Sequence, residues 1–184
     1  MLSTRNVNNC VNKSGLNAWA ATQPRLPAVW QERLESWLDK QYYADLGWLK
    51  RKPNQRVNLE ERFPWCKSVI VVADNYYSPP IKNSNIPYVS IYAHGKNYHQ
   101  IVTSKLKKMA NCLERNYTNL KHKIYVDTGP VLERAYAVEA GLGWLGKNNM
   151  LIVEDIGSYC FLGVLLLNKK MDQYGSIRCS RALC

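Results

Sequence analysis

The residues best suited to do chemistry concentrate in positions 125–152, YVDTGPVLERAYAVEAGLGWLGKNNMLI. Asp127 stands there at the expected junction of a strand end and a helix N-terminus. A carboxylate in that place has two readings. It is an N-terminal cap, accepting backbone N–H bonds and staying ionised, or a proton donor or acceptor held over a ligand, since pockets open at strand ends in α/β folds. Spacing does not separate the two. Arg56 follows a basic run in a polar loop, where an arginine is commonly just solvated. Its guanidinium is also the side chain best suited to hold an amide carbonyl or a phosphate. His99, near the start of a long helical pattern, reads most simply as a capping or surface histidine. The six cysteines, at 10, 66, 112, 160, 179 and 184, show no regular pairing pattern, so isolated thiols are expected. Cys179 and Cys184 raise a metal question, but their spacing fits no usual zinc or cluster motif.

Elements must position these groups. Residues 121–126 read as a strand that Thr128, Gly129 and Pro130 break, and proline suits a first helical position. Val131, Leu132, Ala135, Val138 and Leu142 then recur at helical spacing until Gly141 and Gly143, after which a loop presses on an apolar body and the chain resumes at 150–153. KSVIVVA at 67–73 is a buried strand by composition, and 157–167 is another, with Gly163 inside it where something must approach closely. Ile101, Val102, Leu106, Met109, Ala110 and Leu113 mark a helix over 98–117, and Trp30, Leu34, Trp37 and Leu38 mark an amphipathic one. Short strands are expected at 15–21 and 88–93, a long excursion at 78–87, and a loose polar arm at 1–14. The aromatics of 42–49 read as core packing. Strands and helices alternate without tandem repeats, which is an α/β pattern.

At 184 residues and 46% hydrophobic content, one domain with a real core is expected. No run of 18 apolar residues occurs and the start MLSTRNVNNC lacks a signal-peptide stretch, so the expectation is a soluble, cytoplasmic protein with no membrane role. The formal charge of +11 favours a polyanionic partner such as RNA. The basic clusters at 50–56, 105–108 and 121–123 are then expected partly on one face, around the mouth of a pocket.

Taken in order, WLDKQYYADLGWL, PWCKSVIVVADNY, YVSIYAHGKNYH, VDTGPVLERAYAVEAGLGWLGKNNMLI and GSYCFLGVLL resemble the epoxyqueuosine reductases, the cobalamin-dependent iron–sulfur enzymes of queuosine tRNA modification. The likeness runs over roughly residues 15–168. It implies a cobalamin-binding catalytic domain over 15–168, built as a nitroreductase-like mixed-sheet sandwich, with 1–14 outside it. It implies that Asp127 donates a proton to the epoxide, that Arg56 and Arg134 contact cobalamin, that Leu151 and Leu162 touch the corrin through backbone groups, and that Ser90 faces the same pocket at a variable position. The implied reaction is reduction of epoxyqueuosine to queuosine at the wobble position of a tRNA with a queuosine-type anticodon.

Two departures stand out. The family's R-Y-A-x-G-x-D-Y-H element reads IYAHGKNYH over 91–99, so Ile91 and Asn97 replace an arginine and an aspartate. The family also continues into a ferredoxin-like module with C-x-x-C-x-x-C-x-x-x-C-P runs for [4Fe–4S] clusters, whereas 169–184 resembles only a truncated start of that region. The alternative is therefore a non-catalytic remnant, or half of a split enzyme, that binds cobalamin or tRNA beside a separate cluster-bearing chain. A flavin-dependent oxidoreductase on the same kind of sandwich is a third reading.

Overall fold

The computed structural model describes residues 1–79 and 89–175. Its centre is β2 (Ser68–Asn75), a β-branched run buried at every position but the last, so both of its faces must be covered. β1 (Ala18–Thr22) pairs with one edge of β2 and β6 (Cys160–Leu167) with the other, and β3 (His122–Tyr125) pairs with β6. The order is β1-β2-β6-β3, antiparallel at each pairing. Because side chains alternate along a strand, Ile70, Val72, Leu165 and Leu167 face one way, while Val69, Val71, Ala73, Val164 and Leu166 face the other. The first set packs under α1 (Thr4–Ser14) and α4 (Tyr98–Asn116). Shorter elements cover the second set: α3 (Asn54–Val57), α5 (Glu133–Glu139) and the hairpin of β4 (Trp144–Leu145) with β5 (Leu151–Ile152). α2 (Ala28–Asp39) lies at their flank and reaches the core only through Trp30 and Leu34. The expected α/β sandwich is present.

Several local expectations change. Residues 1–14 are no loose arm: Val7, Cys10, Val11 and Ser14 recur at 3.6-residue spacing and are buried against α4, while the intervening asparagines keep the outer face polar. Gly15, at φ 72°, ends α1 in the left-handed conformation that glycine adopts freely. Cys10 and Cys112 are disulfide-bonded, tying α1 to α4, so these two are not isolated thiols. The pair is 102 residues apart, and only the packing of the two helices brings it together. Cys66 and Cys160 are free, whereas Cys179 and Cys184 lie outside the described residues. Residues 169–175 belong to the same body as the sheet: Leu2 bridges Met171, and the Asp172 N–H donates to the Leu2 carbonyl at 2.9 Å. Tyr88 lies outside the described residues, and residues 89–93 form no strand but lead into a single turn, Ile91–Ala93, with no partner strand among the described residues to pair with. Gly163 admits α4, since a Cβ there would lie 2.7 Å from Leu106 Cδ1 and 2.9 Å from Val102 Cγ1. No helix among the described residues is long and apolar enough to cross a membrane.

Candidate active site

Beyond β3 the chain passes through buried Val126 to Asp127, which adopts φ 57°. A left-handed conformation costs a non-glycine residue roughly 1–2 kcal/mol, although a short polar side chain tolerates it best. Two contacts hold it there. The Asp127 N–H donates to Glu133 Oε1 at 2.8 Å, and the Tyr98 hydroxyl donates to Asp127 Oδ2 at 2.8 Å. Gly129 lets the turn fold back on β3, because a Cβ would sit 2.2 Å from the Tyr125 ring. α5 begins only at Glu133, with Leu132 in the cap position and no side-chain cap bond. Asp127 is thus not the helix cap, and Pro130 is not the first helical residue: the turn held by Glu133 takes up the chain between strand and helix.

Asp127, Glu133 and Arg134 lie where two clefts meet. The first, of about 490 Å³, is also lined by Trp30, Trp48, Arg56 and Asn149. The second, of about 380 Å³, is also lined by Tyr92, Tyr98, Leu151, Cys160, Phe161 and Leu162. Burial pushes the Glu133 carboxyl up to about 7, opposed by the bond from the Asp127 N–H, reinforced by the Asp127 charge and opposed again by Arg134. Burial and the bond to Asp127 raise the Tyr98 phenol to about 12, so it stays a donor at neutral pH. Arg134 donates through Nη1 to the Asn149 carbonyl, fastening α5 to the hairpin loop.

Arg56 is only 7% exposed, on a one-turn helix that carries it into the wall of the first cleft. Its guanidinium lies 5.3 Å from the Trp48 ring centre, and its buried Nε–H has no hydrogen-bond partner. Burial lowers its pKa. A buried charged donor without an acceptor is costly, so this wall suits a ligand rich in carbonyl groups. A corrin ring bearing amide side chains meets that requirement, and the residues present fit cobalamin.

Of the residues singled out by sequence, the first cleft gathers Arg56, Asp127 and Arg134, and the second gathers Asp127, Arg134, Leu151 and Leu162. Ser90 is exposed at the start of the turn that carries Tyr92, and it does not line either cleft. His99 is tied down, with Nδ1 3.1 Å from the Val126 carbonyl and its backbone N–H on Asn97 Oδ1. Glu133, Tyr98 and Trp48 are site residues that sequence reasoning passed over. Trp48 is 52% exposed along the cleft rather than packed in the core. The basic clusters do not share one face. Lys105 is ion-paired with Asp74 at 2.6 Å, exposed Lys107 and Lys108 ride α4 on the far side of the sheet, and Lys121 and Lys123 lie over Trp65 and Tyr125. Exposed Lys50, Arg51 and Lys52 alone run between two cleft-lining residues, Leu49 and Arg56.

Fold and cleft together define an α/β sandwich with an acid at the waist of its candidate site. Residues 56–128 match the family described as "Epoxyqueuosine reductase QueG, DUF1730", a segment that includes both Arg56 and Asp127. The chain is 42% identical over 139 residues to the epoxyqueuosine reductase of Synechocystis sp., covering 74% of this chain and 47% of that relative. Among solved structures, an epoxyqueuosine reductase with an epoxyqueuosine-modified tRNA-Tyr stem loop superposes with a TM-score of 0.82 at 23% identity, covering 98% of this chain and 49% of the other. A reductive dehalogenase whose structure suggests B12-dependent dehalogenation shares the fold with a TM-score of 0.57 at 10% identity, covering 94% of this chain and 20% of its own. Over the part of their length that it spans, the chain is similar to the epoxyqueuosine reductases. It spans about half the length of the relatives it matches.

Proposed function

We propose that this chain provides the cobalamin-binding catalytic half of an epoxyqueuosine reductase, acting in the cytoplasm at the wobble position of a tRNA with a queuosine-type anticodon. The observation that carries the reading is the convergence of a buried guanidinium lacking an acceptor and a strained aspartate on one cleft. The modified stem loop held by one structural neighbour and the B12-dependent chemistry of another support it. Arg56 and Arg134 hold corrin amide carbonyls, and Leu151 and Leu162 present backbone groups from the second cleft. Ser90, outside both clefts, is the weakest candidate contact. Cobalamin, when bound, would supply the redox chemistry, and the two electrons would come from an external reductant, since this sequence contains no C-x-x-C-x-x-C-x-x-x-C run to hold a [4Fe–4S] cluster. Removing an epoxide oxygen as water consumes two electrons and two protons. Asp127 delivers a proton to that oxygen, held at its Oδ2 by the donating Tyr98 hydroxyl.

The test supplies purified protein with cobalamin, a strong chemical reductant and an epoxyqueuosine-bearing stem loop, and measures queuosine by nucleoside mass spectrometry. Queuosine formation that depends on cobalamin is expected. Protein that binds cobalamin, seen by its absorbance, yet forms no queuosine defeats the catalytic reading and leaves a binding module in its place.

A further inference from the structure

We infer that Glu133 is the positioning residue for Asp127: by accepting the Asp127 N–H it fixes the left-handed backbone that aims the Asp127 carboxyl into the cleft. The inference rests on the reading of Asp127 as the proton donor. Rotation about φ swings a side chain around its own Cα, so an aspartate that must come within hydrogen-bond distance of an epoxide oxygen needs its backbone held. The structure holds it at one atom. Glu133 Oε1 sits 2.8 Å from the Asp127 nitrogen, six residues away across the turn, and Glu133 is the first residue of α5, so the latch is anchored in regular structure. Tyr98 grips the side-chain end from α4, while Gly129 removes the Cβ that would push the turn off Tyr125. Glu133 lines both clefts, yet its carboxyl oxygen is committed to a backbone donor and not to the exposed guanidinium of Arg134 beside it.

The titratable and charged groups around Glu133 are Asp127 on the turn, Arg134 on α5, Arg56 on α3, Tyr98 on α4, and Tyr92 and Cys160 on the second cleft. With its carboxyl raised to about 7, Glu133 is present in both forms near neutrality, and a carboxyl oxygen accepts the N–H in either form. Glutamine reproduces the neutral form and keeps the acceptor. Glu133→Gln and Glu133→Ala therefore separate acceptance of the hydrogen bond from charge.

The experiment has two arms. In turnover of the epoxyqueuosine stem loop with cobalamin and chemical reductant, Glu133→Ala is expected to lower kcat about 10²-fold, as a small misplacement of a reacting group does. KM for the stem loop and cobalamin affinity should stay within about threefold in this variant, and Glu133→Gln should stay within about threefold in kcat, because its acceptor remains. Equal loss in both variants, or none in Glu133→Ala, overturns the inference. The second arm needs no turnover: amide hydrogen exchange in the wild-type protein should be at least about tenfold slower at Asp127 than at exposed Thr128. Glu133→Gln should keep that protection. Equal exchange at the two amides of the wild type overturns the latch whether or not Glu133→Ala folds. A wild-type protein with protected Asp127 and no queuosine formation defeats the proposed function and leaves the latch standing.

Discussion

The strands of the sheet send alternate side chains under two different coverings. On one face Ile70, Val72, Leu165 and Leu167 meet two long helices, whose Leu106, Met109 and Leu113 are fully buried and whose ends are joined through Cys10 and Cys112. Gly163 thins the sheet so that α4 sits close. On the other face Val69, Val71, Val164 and Leu166 meet a one-turn helix, a two-turn helix and a hairpin of two-residue strands. Elements so short leave a gap over the sheet that is the first cleft, while the second opens at the sheet's end, where Tyr98 and Phe161 of the other face also line it. The polar anomalies collect there: a buried Nε–H without an acceptor, a carboxyl raised to about 7, and an aspartate in left-handed backbone. The face under the long helices thus serves stability while the candidate site lies among the short elements and at the strand ends, and the two duties should be separable by mutation.

The sharpest separation is expected at Asp127. Asp127→Asn keeps the size of the side chain and can still accept from Tyr98, but has no proton to give. Queuosine formation should fall by about 10²–10⁴-fold while cobalamin affinity changes by no more than about threefold, in line with the usual worth of a positioned general acid. Titration of cobalamin absorbance beside the turnover assay checks both halves. Loss of cobalamin binding or of cooperative unfolding would show that Asp127 holds structure rather than chemistry. The mirror-image variant is Leu106→Ala on the sealed face. Removing a fully buried leucine should cost about 2–5 kcal/mol of stability in denaturant titration. Under conditions where the variant stays folded, cobalamin affinity should match wild type. A large change in affinity would mean that the two faces are mechanically coupled.

How much of this was legible in the sequence depends on where each signal resides. β2, β6 and α4 announce themselves because their patterns are continuous, and α4 spans Tyr98–Asn116 where spacing places a helix over 98–117. α1 is hidden because four asparagines in an eleven-residue helix make it polar on average, although the buried positions keep helical spacing. What decides Asp127 is not local at all. The donor from Tyr98 comes from 29 residues away and the acceptor from across a turn whose course depends on Gly129 meeting Tyr125. Glu133 therefore carries no signal in the sequence beyond being a polar residue between the apolar helix positions Leu132 and Ala135. Arg56 looked solvated because its loop is polar, and its burial arises from a wall that Trp48 and α5 build around it.

Arg56 carries a prediction of opposite signs. Arg56→Met keeps an unbranched stem against Trp48 and removes the donor that lacks an acceptor. In the cofactor-free protein its stability should be unchanged or higher by up to about 1 kcal/mol, since an unsatisfied buried donor is lost. Cobalamin affinity should fall about tenfold or more, because a charge-assisted hydrogen bond to the corrin amides is lost with it. Thermal unfolding with and without cobalamin measures both signs in one series. A variant less stable without cofactor and equal in affinity would assign Arg56 to packing alone.

The smallest expected effect concerns the charge of +11, which composition alone connects with a polyanion but does not place on the molecule. The two faces divide it. Lys107 and Lys108 are exposed on the helix that seals the far face, whereas Lys50, Arg51 and Lys52 run along the open face between Leu49 and Arg56. On the proposed function, a stem loop with its modified base in the cleft would bring its phosphates to the second set. For a single strand each neutralised phosphate contributes about −0.7 to the slope of log affinity against log salt. Replacing Lys50, Arg51 and Lys52 together by glutamine should therefore make that slope shallower by about 2 if each meets one phosphate. Lys107→Gln with Lys108→Gln should leave it unchanged, and cobalamin affinity should be indifferent to both sets. Fluorescence anisotropy of a labelled stem loop across a salt series measures the slopes. Equal shallowing by the two sets would mean that the positive charge acts as a diffuse field around the whole chain, and that the open face has no special claim on the RNA.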